Sequence, residues 1–232
     1  MRKNWLFWTV NIGAAIPLLW LAWDFGQGNL SINPIADITT RTGTAGLVLL
    51  LLSLACTPLM TITGWRQPAT VRKSLGLWAF VYATFHLLNF VGLDYGFDLG
   101  FILQDGLPTK PYIVVGLLAF LILVSLAITS TKGWQRRLGK KWKWLHRLVY
   151  VAGVAVIVHF LWIAKAADDW EPALYGVLLS ALLILRIPAV RKRIVAWRQG
   201  TTSTATKPPL VRGVKPERAT ATAADDLRFP AD

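Results

Sequence analysis

The chain contains three histidines, His86, His146 and His159, and a single cysteine, Cys56. Two of the histidines fall in the stretch "LHRLVYVAGVAVIVHFLW", from Leu145 to Trp162, which is otherwise fit for lipid. Ionisable groups in such a setting are costly and by default functional. Depth is the informative coordinate. His86 lies 12 residues beyond Ser74, where an apolar segment begins, and His159 lies 13 beyond His146, where another begins. At ~1.5 Å per residue, both imidazoles sit roughly 18–20 Å from the same boundary. Two imidazoles at matching depth on two helices can face one another and hold a haem iron from opposite sides. A single buried histidine is as readily a polar residue satisfied in a helix contact, but a matched pair in a chain with three histidines favours ligation.

His146 stands apart. It lies beside Arg147 at a segment boundary, where a histidine needs no special account. On an ideal helix, at about 100° per residue, it points about 140° away from His159. A second haem near that boundary therefore needs helix distortion or an off-axis site. Its opposite ligand is missing too, because the residue fourteen before His86 is Arg72. Arg186 in "ILRIP" either snorkels to water or pairs with a haem propionate, and Arg72 and Lys73 share those two readings. Asn89, one turn beyond His86, offers a second hydrogen bond near the ligand or a bond between helices.

The elements that must position these residues are long and apolar. Hydrophobic residues make up 54% of the 232, and mean hydropathy is +0.47, which excludes an ordinary soluble domain. Six segments are long enough to span a hydrocarbon core of about 30 Å: 5–24, 43–63, 74–94, 111–130, 146–165 and 172–190. They do not alternate as barrel strands do, so they are read as helices, giving an all-α, six-helix transmembrane bundle. All of the 25 basic residues except Arg41, Lys110 and Lys165 fall on one side of these spans. The positive-inside rule makes that side cytoplasmic, with both termini inside. The net charge of +13 thus reflects topology and contact with membrane lipid; no nucleic-acid partner is expected. Tryptophans 5, 20, 23, 134, 142, 144 and 170 read as interfacial belts.

The basic loop "KGWQRRLGKKWKWLHR" marks topology, and can also bind anionic lipid or a flavin phosphate, or steer an acidic reductase. The first span is kept as a helix and not a cleaved signal, since no small-residue cleavage site follows it. The loop "GQGNLSINPIADITTRT" is expected to fold over the outer face. Residues 1–197 form the transmembrane domain, and 198–232, rich in Thr, Ala, Pro and charge, read as a disordered cytoplasmic tail. No internal repeat is evident. No disulfide, CxxC or phosphate-binding glycine motif occurs, and Cys56 reads as a packing residue.

Four stretches, "NPIADITTRTGTAGLVLLLLSLACTPL", "RKSLGLWAFVYATFHLLNF", "KPYIVVGLLAFLILVSLAITS" and "WQRRLGKKWKWLHRLVYVAGVAVIVHFLW", resemble the MsrQ (YedZ) family. This is the ferric-reductase-like transmembrane family of haem subunits in the bacterial periplasmic methionine sulfoxide reductase system, MsrPQ. The resemblance spans roughly residues 5–195. It implies that His86, His146 and His159 are haem-associated, that haem b is bound in one or two copies, and that FMN is a further cofactor. It also implies electron transfer across the inner membrane, from a cytoplasmic flavin reductase or the quinol pool to the periplasmic molybdopterin enzyme MsrP, for repair of oxidised proteins. Oxidase relatives hold two stacked haems with two histidines on each helix; Arg72 departs from that pattern and leaves the inner ligand set open. Asp24, Asp37, Asp94 and Asp98 are the expected docking surface for the acceptor. Two rivals stand beside this reading: a stand-alone transmembrane ferric or cupric reductase, and a non-redox transporter or scaffold whose histidines bridge helices.

Overall fold

The computed structural model describes residues 5–165 and 170–203. Among these the chain is all helix. Its elements are α1 (Trp5–Gln27), α2 (Pro34–Thr63), α3 (Pro68–Asn89), α4 (Pro111–Ile128), α5 (Lys132–Leu138), α6 (Lys140–Leu145), α7 (Leu148–Lys165), α8 (Glu171–Ile184) and α9 (Pro188–Ser203). A widened π turn, Phe90–Asp94, extends α3. Five helices are long and apolar enough to cross a membrane, and a sixth span is reached if the bent pair α8–α9 is taken together.

Three boundaries depart from expectation. Helix α2 starts at Pro34 and not at 43, so half of the expected outer loop is helical. The reason is local: the Asn33 side chain accepts the Ala36 N–H at 3.2 Å, and Pro34 occupies the first turn, where a missing N–H costs nothing. The fifth span starts earlier than His146, since Lys140–Ala164 is long and apolar enough as one crossing, with a two-residue turn at His146–Arg147 between α6 and α7. The sixth span is not continuous. Helix α8 ends at Ile184, and α9 leaves at 72°. Proline starts the new helix, having no N–H to continue the old one. With 14 residues, α8 rises ~21 Å, less than the ~30 Å core. The boundary expected at 197 falls inside α9, and the tail beyond Ser203 lies outside the described residues.

Helix α2 is central. Its Leu49, Leu50 and Cys56 join Val71, Leu75 and Tyr82 of α3, while Leu47, Leu51 and Leu54 meet Ile157 of α7 and Leu179 and Leu182 of α8. Gly46 lets α3 approach closely; a methyl there would touch Tyr82 Cβ at 3.4 Å and the Ala79 carbonyl at 3.5 Å. Cys56 is buried in this core as a packing residue.

Helix α1 is largely exposed, as a lipid-facing helix would be, yet it is tied to α3 by polar groups. The Tyr82 hydroxyl sits in the α1 ladder near Pro17, accepting the Leu18 N–H at 2.9 Å and donating to the Ala14 carbonyl at 2.7 Å. Those two groups would otherwise bond each other, so the hydroxyl is spliced into the helix. One turn back, Asn11 Oδ1 accepts from Ser74 at 2.5 Å and from Trp78 Nε1 at 2.9 Å.

At the end opposite the basic loop, Arg41 bridges Asp24 at 2.6 Å and Asp37 at 2.8 Å. Asp98 caps a short turn, accepting the Phe101 N–H at 2.9 Å. These three carboxylates are engaged within the chain, while Asp98 stays exposed. Of the expected belt tryptophans, Trp5, Trp20, Trp23, Trp134, Trp144 and Trp170 are exposed. Trp142 is not a belt residue: it turns inward, and its Nε1 donates to the Thr129 carbonyl at 2.8 Å.

Candidate functional site

Helix α3 packs mainly against α2, and α7 mainly against α4. The histidines borne by α3 and α7 meet between these two hairpins. The ring centres of His86 and His159 are 6.1 Å apart, with planes at 84°. The depth match expected from helical rise is thus a spatial pair.

Each ring is held in the same way. His86 Nδ1 lies 3.0 Å from the Thr39 carbonyl oxygen, and His159 Nδ1 lies 2.7 Å from that of Tyr112. A carbonyl can only accept, so Nδ1 carries the proton in both rings. The lone pair is left on Nε2 in each, the state in which a neutral imidazole ligates a metal, with its other nitrogen anchored to a carbonyl. In both hairpins the carbonyl comes 47 residues before its histidine. The structure therefore contains a repeat that the sequence did not disclose: a descending helix supplies an acceptor and the ascending helix supplies the ring.

The pair fits a haem iron. Metal–imidazole bonds of ~2.0 Å, with roughly one ångström more from each nitrogen to its ring centre, place trans imidazoles about 6 Å apart. Their separation also matches a bland edge contact between rings. In both rings the anchored Nδ1 leaves Nε2 free to ligate a metal.

Asn89 takes the interhelical role. Its Nδ2 donates to the Ile35 carbonyl at 3.1 Å and to the Thr39 hydroxyl, and it makes no bond to His86. It does pin the same turn of α2 that anchors His86. Its Oδ1 is buried without a partner.

His146 is not brought to the pair. It caps α6 near the basic end, stacked at 4.1 Å on Trp142, with Nε2 3.1 Å from the Thr129 hydroxyl. That hydroxyl also reaches the Ser125 carbonyl at 2.7 Å. If its proton goes there, His146 Nε2 is the donor, the reverse of the other two rings. His146 lines a cavity of about 340 Å³ between the hairpins, together with Arg72, Lys73, Lys143 and Arg186. No aspartate or glutamate is among the described residues lining it. Arg72 reaches the Thr57 hydroxyl at 3.3 Å. Arg186 does not snorkel outward, because the α8–α9 bend turns it in. Its Nη1 donates to the Tyr150 hydroxyl at 2.6 Å and its Nη2 to the Leu54 carbonyl at 2.5 Å, while Nε is buried and unpartnered.

Sequence reasoning missed Thr39 and Tyr112, since they act through main-chain carbonyls that any residue supplies. Their signal was the shared 47-residue offset. Tyr150 and Trp142 were hidden by composition, since aromatics near a boundary read as belts.

Residues 42–157 match the family of ferric reductase like transmembrane components. The chain is 45% identical over 186 residues to the protein-methionine-sulfoxide reductase heme-binding subunit MsrQ of Rhodospirillum rubrum, covering 79% of this chain and 88% of that one. It is 44% identical to MsrQ of Xanthomonas axonopodis pv. citri, with 82% and 84% covered. It is 37% identical to MsrQ of Salmonella paratyphi B, with 82% and 94% covered. A matched pair of anchored imidazoles in a helical membrane bundle, and this identity over most of the length, place the chain in the MsrQ family of ferric-reductase-like transmembrane proteins.

Proposed function

We propose that this protein is the haem-b electron-transfer subunit of a periplasmic methionine sulfoxide reductase system. One observation carries the reading: the rings of His86 and His159, each anchored through Nδ1 with Nε2 left free, have centres 6.1 Å apart, a spacing that suits one iron between them. The relatives named above are haem-binding subunits by description, which supports the same ligand here. The haem is non-covalent, because the lone Cys56 lies in no C-x-x-C-H attachment motif. When bound, haem supplies one-electron carriage. The chain's own part is to fix both imidazoles in one tautomer and to exclude water.

The basic end is the cytoplasmic one, which sets both termini inside, in the inner membrane. Electrons enter there from a flavin reductase or a quinol and leave to MsrP at the opposite face. The cavity around Arg72, Lys73, Lys143 and Arg186 suits an anion, either the propionates of a second haem with His146 beside it or the phosphate of FMN.

The test is the absorption spectrum and pyridine-haemochrome content of purified wild type and of His86→Ala, His159→Ala and His146→Ala. Wild type should show a Soret band that both His86→Ala and His159→Ala abolish at this site. Half-loss in His146→Ala marks two haems; full retention marks one. A colourless wild type, expressed with ample porphyrin, refutes the proposal.

A further inference from the structure

We propose that Gly43 and Gly116 are positioning residues that set each ligand histidine on its carbonyl anchor and so tune the iron between them. The inference rests on the haem reading above and concerns how firmly the chain imposes it. Each glycine lies one turn after the anchoring carbonyl, Gly43 after Thr39 on α2 and Gly116 after Tyr112 on α4. The missing side chain leaves a groove that the imidazole fills. A methyl on Gly43 would lie 3.0 Å from His86 Nδ1 and 3.2 Å from Cε1; one on Gly116 would lie 2.7 Å and 2.8 Å from the same atoms of His159. Elsewhere in α1, α2, α3, α4, α7 and α8, a methyl on any glycine would meet nothing nearer than 3.4 Å. Within these six helices the close approach is confined to the two histidines and occurs at both; beyond them, Gly64 meets the far end of Arg198 at 2.9 Å and Gly92 the Phe97 ring at 3.0 Å.

The physical consequence is directional. Alanine pushes the ring off the groove, and the Nδ1–H···O bond lengthens. An imidazole that donates less strongly at Nδ1 is a less basic ligand at Nε2. It stabilises ferric iron less, so the reduction potential rises. Because 2.7 Å is the harder clash, Gly116→Ala shifts more than Gly43→Ala. The ring is held at both ends by iron and carbonyl, so it cannot swing clear as a free side chain would.

The experiment is redox titration and low-temperature EPR of purified Gly43→Ala and Gly116→Ala, with haem content by pyridine haemochrome. Gly153→Ala is the control, on the same helix as His159, where a methyl meets Leu179 at an ordinary 3.4 Å. The expected result is an upward shift in potential and altered ferric g-values, in the order Gly116→Ala, then Gly43→Ala, with the control like wild type. Should Gly116→Ala not accumulate, Gly43→Ala carries the test, since its ring need yield only a few tenths of an ångström. Unchanged potential and g-values in a haem-replete Gly43→Ala overturn the role. So does loss of folded protein in both variants with a normal control, which would mark packing alone. A colourless wild type would instead refute the haem reading itself.

Discussion

Replacing Tyr82 with Phe removes one oxygen and tests how α1 is joined to the helix that bears His86. Tyr82 is 1% exposed, and its hydroxyl both accepts from Leu18 N–H and donates to the Ala14 carbonyl. The variant keeps the ring and leaves two main-chain groups facing the vacated space. An orphaned buried donor or acceptor costs about 1–3 kcal/mol. Hydrogen bonds between membrane helices are worth less, about 0.6 kcal/mol on average and about 1.7 at most. Two such bonds give about 1–3 kcal/mol. For a chain of this size each kcal/mol lowers the melting midpoint by roughly 2–4 °C, so a loss of about 2 kcal/mol gives roughly 4–8 °C. The assay is thermal unfolding in detergent followed by tryptophan fluorescence, paired with hydrogen exchange read at the Leu18 amide. Exchange at Leu18 should accelerate while amides of α7 keep their protection. An unchanged midpoint with unchanged Leu18 exchange would show that α1 closes its own ladder, and the splice would then carry no energy.

Two further substitutions probe the opposite ends of the bundle. Arg41→Ala strands Asp24 and Asp37; because the Arg41 side chain is 39% exposed, each pair is worth about 0.2–1 kcal/mol, read as a small fall in melting midpoint that raised salt should diminish, and Asp24→Asn in the same chain should recover part of it. Arg186→Met should weaken binding of an anionic probe such as FMN by about tenfold or more, equivalent to about 1.4 kcal/mol, measured by fluorescence titration. It should also lower the melting midpoint, since the Leu54 carbonyl and the Tyr150 hydroxyl lose their donor, and Pro58, four residues after Leu54, has no N–H to replace it. Wild-type affinity in Arg186→Met would remove the cavity as an anion site.

What the sequence disclosed follows from which quantities are fixed per residue. Helical rise is constant, so the level of His86 and His159 followed from counting, and the rings do meet. Apolar length located the spans for the same reason, five as single helices and the sixth as a bent pair. The bend before Pro188 was not legible, because a proline four residues past the helix end at Ile184 reads equally as a boundary or a tolerated kink. The early start of α2 was legible in principle, since Asn33-Pro34 is a capping pair; its polar neighbours masked it as loop. The repeat stayed hidden because, beyond Gly43/Gly116 and His86/His159, the positions shared between the hairpins are common apolar residues such as Leu75/Leu148 and Ala79/Ala152, and the anchors act through main-chain oxygen. Arg186 was foreseen as snorkelling or pairing, and only the bend decides that it turns in.

The two imidazoles come from His86 and His159, 73 positions apart along the chain. On the proposed reading, an iron shared between them would staple a long loop and narrow the unfolded ensemble much as a disulfide does. By the loop-entropy relation for cross-links, a closure of that length contributes about 4 kcal/mol. Cofactor loading and maturation in the membrane would then be one event, with the empty chain the looser and more readily degraded species.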